Sequence, residues 1–198
     1  MTRQRSRKRL NDTAAAPQAG LWAFGRREVV QGVAGAALYA VLFWVFKAFP
    51  LPIPLRPDVF IRPSLAVPLF VGLMFGPAVG GFTGVVGHVA GDLLTGAGLN
   101  WPWALGSGLM GVIPGLARYF VSEFRTPREF GLAELFTLLG VWGGSAFAAL
   151  VGETLVLRRS DLAAGLNKTM AEGLTGTLNG GLLMPTLILI WNALRERR

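Results

Sequence analysis

From Ile61 to Leu116 the chain reads IRPSLAVPLFVGLMFGPAVGGFTGVVGHVAGDLLTGAGLNWPWALGSGLMGVIPGL. Between Arg62 and Arg118 the only titratable side chains are His88 and Asp92. A helix in water needs a wet face, so a soluble protein does not leave so long a run without charge. A bilayer asks for such a run and tolerates the glycines where helices approach closely. The stretch therefore predicts membrane-spanning helices. The His and Asp, four residues apart inside it, become candidate functional groups because polar side chains in hydrocarbon are costly.

Composition supports the same class. Of 198 residues, 52% are hydrophobic and the mean hydropathy is +0.49, which fits one membrane domain better than a soluble one. There is no Cys and one His. Disulfide scaffolds, thiol catalysis, Cys-ligated metals and multi-histidine metal sites are thus excluded, and no metal or cofactor is expected. No GxxxxGK[ST] phosphate loop occurs in the sequence, so ATP-driven work must come from another chain. The net charge of +8 sits in clusters: Arg3 to Arg9 with Arg26 and Arg27, then Arg118 to Arg128, then Arg195 to Arg198. That distribution reads as positive-inside rather than as a nucleic-acid surface, although an RNA-binding tail over 3–9 stays open. Both termini are placed in the cytoplasm, and the first apolar run is too long for a cleaved signal peptide.

The fold expected is an all-α integral membrane bundle of about six transmembrane helices. Residues 1–25 form a basic, disordered tail and 26–198 one domain. The first helix runs from about Glu28 to Phe49, long enough to cross the hydrocarbon. Gly32, Ala36 and Ala40 lie on one face at i+4 spacing and allow backbone-close packing, either inside the protein or against a partner chain. Pro50, Pro52, Pro54 and Pro57 then prevent a helix and stiffen an outer connection that carries Arg56, Asp58 and Arg62. A short second crossing, Ser64 to Phe75, ends at Gly76-Pro77, a stop followed by a start. The third helix carries Gly76, Gly80, Gly84, His88 and Asp92 as one stripe. Trp101-Pro102-Trp103 opens the fourth, which reaches Ala117 with Pro114 as a kink. The fifth is expected over Leu132 to Leu157. The sixth is expected over Met170 to Leu194, interrupted at Glu172, Asn179-Gly180-Gly181 and Pro185, after a polar outer segment from Arg158 to Lys168.

In this arrangement the scarce polar groups gather near the outer leaflet. His88, Asp92, Asn100, Trp101, Trp103, Glu153, Glu172 and Asn179 lie there, with Arg62 above them. A shared wet pocket beneath the proline-rich segment accounts for their cost, with indoles to stack and amides and carboxylates to select a heterocycle. Each residue also has a plainer reading. His88 and Asp92 can pair with each other, the tryptophans can form an aromatic belt, Asn179 can bridge helices, and Glu153 can sit in water. No nucleophile–base pair is evident, so an enzyme is not expected. A self-sufficient secondary carrier or channel, with His88 and Asp92 relaying protons, is the main alternative.

The segment from Phe75 to Leu116 resembles the core of the substrate-binding S components of energy-coupling-factor (ECF) vitamin transporters. The similarity is greatest to the riboflavin-transporter-type group, which includes presumed hydroxymethylpyrimidine carriers. It rests on FGPAVGGFTGVVGHVAGD, the following WPW, and GLMGVIPGL. The face Gly32, Ala36, Ala40 is similar to that family's first-helix docking motif, and Asn179 fits an Asn of its last helix. The resemblance implies a multi-pass subunit in a prokaryotic plasma membrane. It would capture a water-soluble vitamin on the outer face and work with a T component and two ATPase subunits.

Overall fold

The computed structural model describes residues 20–197 apart from 24, 54 and 55, and leaves the side chains of 53–59 outside the description. Most of the expected basic tail, and the side chains of Arg56 and Asp58, therefore lie outside the described residues. The described chain forms six helices: α1 (Arg26–Ala48), α2 (Ala66–Phe75), α3 (Pro77–Leu94), α4 (Trp101–Gly115), α5 (Pro127–Ala146) and α6 (Leu162–Glu196). Two short strands, β1 (Leu51–Ile53) and β2 (Arg56–Ile61), link α1 to a 3-10 turn at Pro63–Leu65. Helix α1, the 30-residue span Pro127–Val156 and α6 are each long and apolar enough to cross a membrane. The protein is an all-α membrane bundle.

Local chemistry explains most boundaries. Gly76 stands at φ +105, a conformation side chains resist, and there the chain leaves α2 and starts α3 at Pro77. Proline is suited to that first-turn position, where its missing N–H goes unmissed. Helices α3 and α4 then cross with backbone against backbone. A Cβ on Gly80 would collide with the Gly111 carbonyl, and one on Gly84 with that of Ser107. Helix α1 packs on α3, α6 on α5, and the short α2 lies between them. Leu69, Leu73, Val79, Met110, Val141, Met184 and Ile188 form an almost fully buried apolar core.

Four sequence expectations are corrected. The proline-rich connection is an antiparallel hairpin, with Leu51 opposite Ile61 and Pro52 opposite Phe60. A lone two-stranded ribbon leaves outer edges where proline breaks no ladder bond. Helix α5 begins five residues early, because Thr126 and Glu129 form a reciprocal capping box around Pro127. Its continuation, Phe147–Val156, widens into π turns rather than remaining α-helical. Helix α6 begins at Leu162, where the Asp161 carboxylate accepts the Ala164 N–H at 2.7 Å, and runs without a break past Glu172, Asn179 and Pro185.

Of the two readings of the small-residue face of α1, the structure shows packing inside the chain. Gly32, Ala36 and Ala40 are buried within this chain. A Cβ on Gly32 would meet the Phe82 ring, and one on Gly87 the Ala36 carbonyl. The small-residue face is an α1–α3 seam, and α1 turns Val30, Val33, Val41 and Trp44 outward instead.

Candidate functional site

A cavity of about 500 Å³ opens at the hairpin end of the bundle. Helix α1 gives Phe43, Phe46 and Lys47; the hairpin side gives Phe60 and Arg62; α3 gives His88 and Asp92; α4 and the turn before it give Trp103 and Asn100; and α6 gives Lys168 and Glu172. Aromatic walls and paired charges thus share one hollow, the usual composition of a small-molecule site.

The polar side chains are held by one another. Asp92 Oδ2 accepts the Asn100 N–H at 2.9 Å, which fixes the turn between α3 and α4. His88 Nδ1 lies 2.8 Å from Ser107 Oγ and 3.3 Å from the Tyr39 hydroxyl, while Tyr39 and Ser107 are themselves 3.1 Å apart. His88 is thereby tied to α1 and α4. Its other ring nitrogen stands 3.9 Å from Asp92 Oδ1, beyond direct hydrogen-bond reach. The expected His–Asp pair is therefore loose, and the His is anchored through a hydroxyl cluster the sequence reading did not foresee.

Glu153 forms the second cluster. Trp103 Nε1 donates to Oε1 at 2.7 Å and Lys168 Nζ donates to Oε2 at 2.6 Å. The ammonium also lies 5.5 Å from the Trp103 ring centroid, within cation–π range. A buried carboxylate with a donor on each oxygen keeps its charge at tolerable cost. The widened turns of Phe147–Val156 carry Glu153 to this position, which fits the tendency of π segments to occur where a helix must re-aim a side chain.

The third cluster fastens the hairpin. Arg62 pairs with Glu172 at 3.0 Å, and Asn179 Nδ2 donates to the Arg62 carbonyl at 2.8 Å. Both partners are on α6, so the end of β2 is held to the last helix twice.

Arg62, His88, Asp92, Asn100 and Trp103 thus meet around one hollow. Glu153 and Asn179 sit one layer behind it, holding Trp103, Lys168 and Arg62. Trp101 does not join them. It is 37% exposed on the outside of α4, because two residues on a helix are about 200° apart and only one of the pair faces inward. Glu172, expected among the outer polar groups, lines the hollow. Lys168 was missed as a site residue, as were Lys47, Phe43, Phe46, Tyr39 and Ser107. For Lys168 a signal existed. Ser160-Asp161 is an N-cap pattern, and a helix started there places Lys168 and Glu172 one turn apart on the face that leads to Asn179.

The sequence model of the family described as ECF-type riboflavin transporter, S component, matches residues 25–190. The chain belongs to that family. A UPF0397 protein of Streptococcus gordonii is 33% identical over 170 residues, covering 81% of this chain and 87% of the relative. A UPF0397 protein of Streptococcus pneumoniae is 31% identical over the same length, covering 89% of that protein. No solved structure matches the chain. The ECF S-component assignment makes this a membrane subunit of a transporter rather than an enzyme. Its hairpin and cavity fall inside the matched region, as does α6 up to residue 190.

Proposed function

We propose that this S component captures a water-soluble vitamin or vitamin precursor, riboflavin-like or hydroxymethylpyrimidine-like, in the cavity beneath the hairpin. Capture takes place on the outer face of a prokaryotic plasma membrane. A T component and two ATPase subunits then drive import. One observation carries the reading: the few charged and amide groups at this depth converge on one open hollow of about 500 Å³. Phe43, Phe60 and Trp103 offer flat apolar surfaces for a ring system, while Asp92, Arg62 and Lys168 offer directional and charged contacts. Asn100 Oδ1 is buried without a hydrogen-bond partner among the described residues, an acceptor that a bound molecule or water would satisfy.

The secondary-carrier reading has less support. A proton relay needs polar steps across the bilayer. The described network runs from Asp92 and His88 to Ser107 and Tyr39. The next polar side chain along α3, Thr83, donates to the Gly32 carbonyl. Beyond it lies the apolar core.

Titration of the purified chain with riboflavin, hydroxymethylpyrimidine and thiamine, read by tryptophan fluorescence, tests the binding step. Saturable quenching by one of them is expected. Liposomes holding the chain alone should take up nothing under a pH gradient, and should gain ATP-dependent uptake when the T component and ATPases are added. Proton-driven uptake by the chain alone would establish the secondary carrier instead.

A further inference from the structure

The second hollow of the molecule is apolar and lies on its flank. A groove of about 520 Å³ runs between α1 and α6 with α2 as its floor. Ala34 and Leu38 form one wall, Phe70 and Phe75 the floor, and Leu187 and Trp191 the other wall. Along α1 it extends from Gln31 to Leu42, a rise of about 16 Å at 1.5 Å per residue. That is about half of a 30 Å hydrocarbon core, the depth of one leaflet. A partner's transmembrane helix would need a track twice as long, whereas one acyl chain fits this length.

The groove ends among cations. Arg195, in the last turn of α6, places its guanidinium 5.8 Å from the centroid of the Trp191 ring. Arg118 reaches the same end, donating to the Met74 carbonyl at 2.6 Å where α2 finishes. Burial lowers the pKa of Arg118, and the nearby charge of Arg195 pushes it the same way. Among the described residues Arg195 has no carboxylate partner; the nearby Glu196 pairs with Arg125. Two uncompensated guanidiniums at the foot of an apolar, one-leaflet groove present the pattern complementary to a phosphate ester joined to a hydrocarbon tail.

We propose that the α1–α2–α6 groove binds one anionic phospholipid, an acyl chain along Phe70, Phe75 and Leu187 and the phosphate at Arg195 and Arg118. The site is separate from the hairpin-end cavity and does not depend on what that cavity takes. The lipid would fill the gap between the first and last helices, which α2 alone is too short to close.

The test uses the full chain in mild detergent with dioleoyl phosphatidylglycerol or dioleoyl phosphatidylcholine as probe, read by native mass spectrometry and by thermal melting. One phosphatidylglycerol should be retained per protein through delipidation and raise Tm, with phosphatidylcholine doing neither. Arg195→Gln, an exposed substitution, should weaken phosphatidylglycerol retention about fivefold, the effect of one cation at a lipid surface. Ala34→Trp, which fills the groove from an exposed position, should abolish it. Equal retention of both lipids would overturn the proposal. So would wild-type retention by either variant, whether or not Ala34→Trp blocked co-purification with the T component. If that block did occur with lipid binding intact, the groove would belong to a partner helix.

Discussion

The two ends of this bundle use similar helices to opposite purpose. Toward the Arg118 end, α3 and α4 touch backbone to backbone through Gly80 and Gly111, and the interior is sealed by Leu69, Leu73, Met110 and Ile188. Toward the hairpin end Asp92, Asn100 and Trp103, from the same two helices and the turn between them, line a hollow that charged side chains from α6 complete. Glycine gives close contact where no side chain intervenes; one and two turns further along α3, His88 and Asp92 take the stripe's place and line the hollow. The difference shows how a membrane protein can be rigid and receptive along one helix pair: the glycine stripe of α3 stops where its polar residues begin.

Changes at the sealed end should have the largest effect. Gly80→Val or Gly84→Val places a side chain against backbone that cannot yield. Loss of about 3 kcal/mol or more is expected, the upper range for overpacking, seen as a collapse of folded yield and of Tm in detergent. A variant that melted like the wild type would mean that the two helices do not cross this closely.

At the open end the expected losses fall on binding. Asp92→Asn removes the carboxylate facing the cavity but keeps an acceptor for the Asn100 N–H. It should weaken vitamin binding by about tenfold, near 1.4 kcal/mol, with little change in Tm. A fall in Tm with unchanged affinity would make Asp92 a helix-turn clamp only. Glu172→Gln should act less strongly. Arg62 is 45% exposed in its pair with Glu172, and partly exposed ion pairs are worth about 1 kcal/mol or less. Faster amide exchange across 56–61 is the expected readout, and unchanged exchange would show that Asn179 alone fastens the hairpin. Trp101→Ala should change affinity least of all, since that indole lies outside the cavity.

Much of this was legible in the residues, for identifiable reasons. The long apolar run broken only by His88 and Asp92, the Gly76-Pro77 break and the Trp101-Pro102 helix start each have a local cause, and the structure keeps all three. What escaped depended on contacts between distant segments. Ser107 is an ordinary small residue until Tyr39 and His88 arrive from two other helices. Glu153 meets Lys168 only because a π segment re-aims one and an unnoticed N-cap at Asp161 sets the helical phase of the other. The Gly32, Ala36, Ala40 face shows the same limit. Spacing reveals that something packs closely there, but the identity of the neighbour, here α3, is a tertiary fact.

The most direct test of the central claim, that the polar groups at the hairpin end enclose a ligand, is a fluorescence titration of the purified chain and two variants, Trp101→Phe and Trp103→Phe, with riboflavin and hydroxymethylpyrimidine. Saturable quenching should persist in Trp101→Phe and be largely lost in Trp103→Phe. Quenching that survives in Trp103→Phe and disappears in Trp101→Phe would put the ligand on the outer surface of α4 and contradict the account.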